Sequence, residues 1–176
     1  EVLRAMDIPF VVNQWWAAIC GAKRMTRKYF GLLREAGYRD DLCSYCATAF
    51  AESLDPDDHK TGEDGRPLGP WGGLPHPTLA ITRLTCDCQG KIFELFAGNH
   101  GADFYAMENT VARKAPLNWY DLAADNWEEL YDTDRIDVAV EELKELIRFL
   151  EMKTGRMFDM NRLEEVMNLI NEQEGW

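Results

Sequence analysis

The sequence predicts an α/β fold in which a parallel sheet carries flanking helices and is followed by a C-terminal helical hairpin. Short apolar runs alternate with segments of helical periodicity through the first 107 residues. The order strand, turn, helix and strand within this part is typical of a parallel sheet with helices packed on it. Two consecutive amphipathic segments in the last third indicate the hairpin.

The N-terminal third contains one predicted strand and two predicted helices. Ile8 to Val12 is a continuous apolar run rich in β-branched residues, which indicates a buried strand. Residues 15–36 show helical periodicity, with basic residues between the apolar ones. Asp40 or Asp41 is placed to cap a second helix that reaches about residue 54.

The middle third begins with a long loop and continues with the strand–helix–strand unit. Residues 55–77 are rich in proline, glycine and charge, which predicts a loop, and loops of this length are often functional. Residues 78–84 predict a second strand, residues 90–97 a helix and residues 103–107 a third strand. The three elements together predict the parallel crossover unit.

The last third is helical after an irregular stretch at 108–132. The strongest helical pattern has apolar residues at i, i+4 and i+7, and Gly155 follows it as a helix stop. Asp159 is placed to cap a final helix. We therefore predict an α/β domain over residues 1–125 and a helical segment over 126–176 that leads toward a further domain.

Composition narrows the class of function. The 176 residues are 46% apolar and carry a formal net charge of −12, so a surface that binds nucleic acid is not expected. No apolar run approaches the roughly 20 residues of a membrane-spanning helix, and the first residues do not resemble a signal peptide. These features predict a cytoplasmic protein without a membrane partner. Both ends have helical character, so we expect a longer polypeptide.

Four cysteines form two pairs that suit metal or redox chemistry. Cys43 and Cys46 form a C-x-x-C motif at a predicted helix start, and Cys86 and Cys88 form a C-x-C motif after a strand. Thiolates are preferred ligands of zinc and of iron–sulfur clusters, and a helix N-terminus lowers thiol pKa values. Zinc binding, cluster binding and inert buried thiols all stay open from this spacing. Cys20 is assigned to the core.

Four segments resemble the 2-hydroxyacyl-CoA dehydratase and benzoyl-CoA reductase family. The similarity covers nearly the whole chain and corresponds to the N-terminal part of a family subunit. The matching segments are I-P-F-V-V-N at 8–13, G-Y-R-D-D-L-C-S-Y at 37–45, L-P-H-P-T-L-A-I-T-R-L-T-C-D at 74–87 and T-G-R-M-F-D-M-N-R-L-E-E-V-M-N-L-I-N-E at 154–172.

The resemblance implies a Rossmann-like domain that helps to hold a 4Fe-4S cluster. Its cysteine motifs correspond to Cys43 and Cys86, and a third ligand would come from a later domain. Cys46, Cys88 and Ser44 are further candidates near the cluster. The resemblance also implies an anaerobic heterodimer of related subunits, an ATP-dependent iron–sulfur activator protein, and an acyl-CoA substrate that is dehydrated or reduced through radical chemistry.

Polar and aromatic residues after the first predicted strand are candidates for the substrate pocket, because open α/β sheets bind ligands at strand ends. They are Asn13, Gln14, Trp15 and Trp16. Packing of the tryptophans at a domain edge is the alternative. The three histidines, in loops or at a helix end, belong to no recognisable catalytic set: His59, His76 and His100. Two other functions stay open, namely a domain that binds a cluster or zinc without catalysis and a structural partner in a larger complex.

Overall fold

The computed structural model describes residues 1–41, 43–57, 59–108, 116–130 and 132–175. Within these ranges the chain forms eight α-helices and a two-stranded parallel sheet, which confirms the α/β class with a C-terminal helical region. Residues 11–107 make one compact unit, and residues 1–10 together with those from 108 onward make another. The domain boundary near residue 125 stays a prediction.

The helices and strands follow one another in this order. The first four helices are α1 (Val2–Ala5), α2 (Asn13–Ala22), α3 (Thr26–Glu35) and α4 (Ser44–Glu52). The parallel unit consists of β1 (Leu79–Arg83), α5 (Asp87–His100) and β2 (Asp103–Met107). The remaining helices are α6 (Trp119–Asp125), α7 (Thr133–Thr154) and α8 (Met160–Glu174), and 3₁₀ turns lie at Pro70–Gly72 and Trp127–Glu129.

The predicted strand–helix–strand unit is confirmed. β1 and β2 pair in parallel, in a register that runs from Leu79 opposite Asp103 to Arg83 opposite Met107. α5 provides the crossover and packs on both strands. Its N-terminus therefore lies just beyond the carboxyl end of β1, where Cys86 and Cys88 are located.

The predicted strand at Ile8 to Val12 is wrong, because the flanking helices use its backbone groups. Ile8 donates its N–H to Leu3 O at 2.9 Å, which closes α1, and Pro9 has no N–H to donate. At the other end Val12 O accepts the N–H of Trp16 at 3.1 Å, so Val12 is the N-cap of α2. The segment thus connects two helices.

The predicted single helix over residues 15–36 is also wrong, since it is divided into α2 and α3. Arg24 has a φ of 58°, in the left-handed region, and ends α2. Met25 then donates its N–H to Cys20 O at 2.9 Å, which satisfies a carbonyl at the end of that helix. Neither glycine nor proline marks this break, so the sequence carries no helix-stop signal there.

Helix α4 is the centre of the unit formed by residues 11–107. It packs against α2, α3 and α5, and all its residues from Cys46 to Glu52 are buried. Alanines at 47, 49 and 51 allow the neighbouring helices to approach closely. The apolar cluster around it includes Trp16, Cys20, Tyr29, Leu33, Phe50, Leu74 and Ile92.

Aspartates cap both C-terminal helices, and the predicted cap at Asp159 and the predicted stop at Gly155 are confirmed. Asp132 Oδ1 accepts the N–H of Arg135 at 3.2 Å to begin α7, and Gly155 ends it with a φ of 69°. Asp159 Oδ1 accepts the N–H of Asn161 at 2.9 Å to begin α8, which packs on α1.

The stretch predicted as irregular, 108–132, contains α6 and a 3₁₀ turn, while residues 109–115 and 131 lie outside the described residues. No helix of the described chain has the length and apolar character needed to cross a membrane.

Candidate cysteine site

The two cysteine motifs begin the two helices that flank each other in the core. Cys43 is the N-cap of α4, in place of the predicted Asp40 or Asp41. Those carboxylates are engaged by arginines, since Arg34 Nε lies 2.7 Å from Asp40 and Arg39 Nε donates to Asp41 at 2.9 Å. All five cysteines are free thiols.

Cys86 is the N-cap of α5. Its Sγ accepts the N–H of Gln89 at 3.3 Å, and its carbonyl accepts the N–H of Gly90 at 3.3 Å. Cys88 lies in the first turn of the same helix. The helix therefore begins earlier than the predicted residue 90, because the cysteine itself satisfies an N-terminal backbone donor.

Helices α4 and α5 run in the same direction, so their N-termini lie together. At one end the thiols of Cys46 and Cys88 are close enough for Cys88 to raise the pKa of Cys46. At the other end Asn99 Nδ2 donates to Ser53 O at 3.1 Å and to Ser53 Oγ at 2.9 Å. The positive ends of two helix dipoles and their unpaired N–H groups consequently meet at the thiols, which favours negative charge there.

The thiol pKa values diverge with their surroundings. The nearby backbone N–H groups of Cys46 and Tyr45 favour the thiolate and lower the pKa of Cys43. Burial, followed by the nearby negative charges of Cys88 and Cys43, raises the pKa of Cys46. Burial and the charge of Glu52 raise the pKa of Cys20 to about 12, which agrees with its assignment to the core.

Cys43, Cys46 and Cys88 are thus brought together, with Cys86 two residues before Cys88. Cys46 is the link, because both of the other thiols raise its pKa. In the described part of the chain, no three or more His, Cys, Asp or Glu side chains are arranged to enclose a metal ion. The donor set is entirely of soft thiols at helix starts, which fits a cluster that takes only some of its ligands from this chain.

We expect alkylation to distinguish these thiols in the metal-free protein. Iodoacetamide at pH 7.5 should modify the exposed Cys43 first, because its thiolate is favoured, and should leave Cys20 unmodified while the fold is intact. Peptide mass spectrometry against time gives the order, and repeating it in denaturant provides the control in which the rates converge. Faster labelling of Cys20 than of Cys43 would contradict the described site.

Asn13 lies against the first turn of α4, the helix that begins at Cys43. Its Nδ2 donates to Tyr45 O, while its Oδ1 is buried and has no hydrogen-bond partner among the described residues. Of the other pocket candidates, Gln14 is exposed, and Trp16 belongs to the apolar core at 2% exposure. Asn13 is therefore the candidate that is hydrogen-bonded to the helix carrying Cys43 and Cys46.

Trp15 pairs with a residue that the sequence interpretation did not single out. Its ring centroid lies 5.0 Å from that of Trp71, which is located in the long loop and has a φ of 53°. Both rings are more than half exposed, at 52% and 63%. The pair forms an aromatic surface beside the start of α2, and the only signal in the sequence was a tryptophan within a glycine-rich loop.

The three histidines come together in a row that no sequence motif predicts. The ring centroids of His59 and His76 are 4.9 Å apart, and those of His76 and His100 are 4.8 Å apart. His59 Nδ1 is also 2.7 Å from Gly72 O. The row holds both ends of the 55–77 loop at the C-terminus of α5.

The fold is that of an α/β protein with cysteines at the starts of two neighbouring helices, beside the end of a strand. A family model described as 2-hydroxyglutaryl-CoA dehydratase, D-component, matches residues 1–176, and the chain belongs to that family. It is accordingly a component of a 2-hydroxyacyl-CoA dehydratase. No curated protein and no solved structure matches the chain.

Proposed function

We propose that this chain is the part of a dehydratase subunit that helps to hold a 4Fe-4S cluster and to pass low-potential electrons to an acyl-CoA thioester. Cys43 and Cys86 are the proposed ligands, with Cys46 and Cys88 as further candidates. Membership of the dehydratase family supports the substrate class. The observation that carries the proposal is the proximity of Cys46 and Cys88, because it brings the two cysteine motifs to one place.

The helix starts would favour an anionic cluster. The N–H groups of Tyr45 and Cys46 lie near the Cys43 sulfur and favour its thiolate, and the N–H of Gln89 donates to the Cys86 sulfur. Such hydrogen bonds stabilise negative charge on the ligating sulfurs. They thereby raise the reduction potential of the cluster. When bound, a 4Fe-4S cluster supplies a one-electron carrier, and the protein positions it and excludes water.

Asn13 would take part in binding the substrate. Its buried Oδ1 is an acceptor without a partner in the described chain, and a buried polar group of this kind normally finds one. An amide N–H of the pantetheine arm of an acyl-CoA is a donor of the required type. The exposed Trp15 ring offers an apolar surface two residues away.

The proposed setting is an anaerobic cytoplasm. Exposed thiols such as Cys43 and Cys86 and a low-potential cluster are oxidised readily by oxygen. We further propose that a related subunit completes a heterodimer and that an ATP-dependent iron–sulfur activator delivers the electron. Family membership as a dehydratase component supports partner subunits.

Anaerobic reconstitution of the complete polypeptide with iron and sulfide tests the proposal. We expect stoichiometric iron and sulfide and an EPR signal after reduction. With activator and partner present, we also expect elimination of water from a 2-hydroxyacyl-CoA and no turnover of benzoyl-CoA. Zinc in place of iron would indicate a non-catalytic metal domain, and the absence of any metal under strict anoxia would indicate a structural partner; either result overturns the proposal.

A further inference from the structure

A cleft with three arginines lies far along the chain from the cysteines, within the unit formed by residues 1–10 and those from 108 onward. Its volume is about 680 Å³, within the range of small-molecule sites. The N-terminal segment and helix α8 form most of its lining. The charged residues that line it are Arg4, Asp7, Arg156 and Arg162.

Arg156 is held in place by the protein backbone. Its Nη1 donates to Met6 O at 3.1 Å and to Asp7 O at 2.6 Å. These acceptors are neutral carbonyls, so the guanidinium keeps its full charge while its position is restrained. A restrained guanidinium loses less conformational entropy when it binds an anion.

The other two arginines differ in how far they are neutralised. Arg162 Nη1 lies 2.8 Å from Glu165 Oε2, and that contact, with a smaller contribution from the charge of Asp7, raises the pKa of Arg162. Arg4 is in the last turn of α1. Three guanidinium groups against the carboxylates of Asp7 and Glu165 leave a positive cleft on a chain whose net charge is −12.

The remaining lining is mostly apolar. It consists of Ile8, Pro9, Val166, Leu169 and Ile170, with Gln173 as the one further polar side chain. Val166 is buried, whereas Leu169 is 60% exposed. An anionic group and a flat apolar body would therefore find complementary surfaces in the same cleft.

We propose that this cleft binds an organic phosphate of nucleotide size, with its phosphates against the arginines and its base against the apolar residues. Bidentate pairing of arginine with phosphate oxygens provides the recognition. Free adenine nucleotides and the phosphorylated adenosine end of CoA share this chemistry. The proposal goes beyond the proposed function and does not depend on a cluster being bound.

Isothermal titration calorimetry on the complete, metal-free polypeptide tests the site. ADP, CoA and inorganic phosphate are titrated separately at low salt. We expect ADP or CoA to bind at least about tenfold more tightly than phosphate, because only they contact the apolar wall. Binding of both ADP and CoA would identify the shared adenosine phosphate as the ligand. Binding of CoA but not of ADP would show that the site also contacts the pantetheine arm of CoA.

Variants separate the cleft from general charge effects. Arg4→Ala and Arg162→Ala should each weaken binding by about tenfold, the value of one charge-assisted contact. Arg148→Ala is the matched control, since it removes the same charge from α7, where Arg148 pairs with Glu141 outside the cleft. Arg156 is left unchanged because it anchors the N-terminal segment.

Circular dichroism of each variant shows that the fold is retained. No binding of ADP or CoA by the wild-type chain, or equal binding by wild type and by both cleft variants, overturns the proposal. The titration uses the metal-free chain, so a chain that does not bind iron can still bind nucleotide. Failure of the proposed cluster site and failure of the proposed nucleotide site are therefore distinguishable.

Discussion

Replacing both Cys43 and Cys86 by serine is expected to abolish retention of iron and sulfide. A serine hydroxyl is a harder and far weaker acid than a thiol and does not supply a thiolate to the cluster. Loss of even an outer partner of a metal site costs roughly 10–100-fold in affinity, so loss of two direct ligands costs more. Iron and sulfide analysis after anaerobic reconstitution and desalting measures the effect.

Serine is the informative replacement because it leaves the helices intact. Serine is a favoured N-cap, so Cys86→Ser keeps an acceptor for the N–H of Gln89. Both cysteines are exposed, and their replacement removes little buried surface. Cys20→Ala is the control, since that thiol lies in the core away from the helix starts and its loss should not change iron content.

Single replacements of Cys46 and Cys88 by alanine then assign the remaining thiols. Retention of iron by both variants would leave Cys43 and Cys86 as the ligands from this chain. Full iron content in the Cys43→Ser, Cys86→Ser double variant would instead exclude that pair, and the cluster would have to be held by other residues.

Leu33→Ala is expected to lower the free energy of unfolding by about 2–5 kcal/mol. Leu33 is 0% exposed and belongs to the cluster around α4, so its removal leaves a cavity as well as losing buried apolar area. Urea unfolding is followed by circular dichroism at 222 nm, where helices give a strong negative band. The two unfolding curves give the difference in the free energy of unfolding.

Leu95→Ala is the matched control for this substitution. Leu95 is also a helical leucine in residues 11–107, but it is 39% exposed on α5. Its replacement should cost about 1 kcal/mol or less because the surrounding side chains leave a smaller cavity. Equal losses from the two variants would contradict the described core.

The parts of the fold that the sequence predicted well are those with strong local signals. The strand at Asp103–Met107 was predicted with its bounds, α7 ends at the expected Gly155, and α8 begins at the expected Asp159. Each signal lies within a few residues of the element it specifies. Caps, glycine stops and short apolar runs therefore suffice to predict such elements.

The two wrong predictions, a strand at 8–12 and a single helix over 15–36, have a common cause. Backbone groups in these segments form hydrogen bonds to neighbouring elements. Ile8 to Val12 has the composition of a strand, yet its groups close α1 and open α2. The break at Arg24 adopts a left-handed conformation at a residue that carries no stop signal. Composition describes which side chains are apolar, but it does not state which backbone donors are already engaged.

The burial of a charged residue, Glu52, also could not be predicted from the local sequence. Glu52 is 1% exposed at the end of α4, and its Oε1 accepts the N–H of Leu74 at 2.7 Å. A glutamate in a helix is ordinarily a surface residue. The return of the long loop to α4 supplies a donor that helps to make this burial tolerable.

By itself the sequence determined the α/β class, the parallel crossover, the C-terminal helices and the position of Cys43 and Cys46 at a helix start. The tertiary structure alone decided that α4 and α5 run side by side in one direction, so that Cys46 meets Cys88. It also decided that His59, His76 and His100 form one row. Periodicity and capping act over a few residues, whereas these meetings join positions tens of residues apart and arise from how the helices pack.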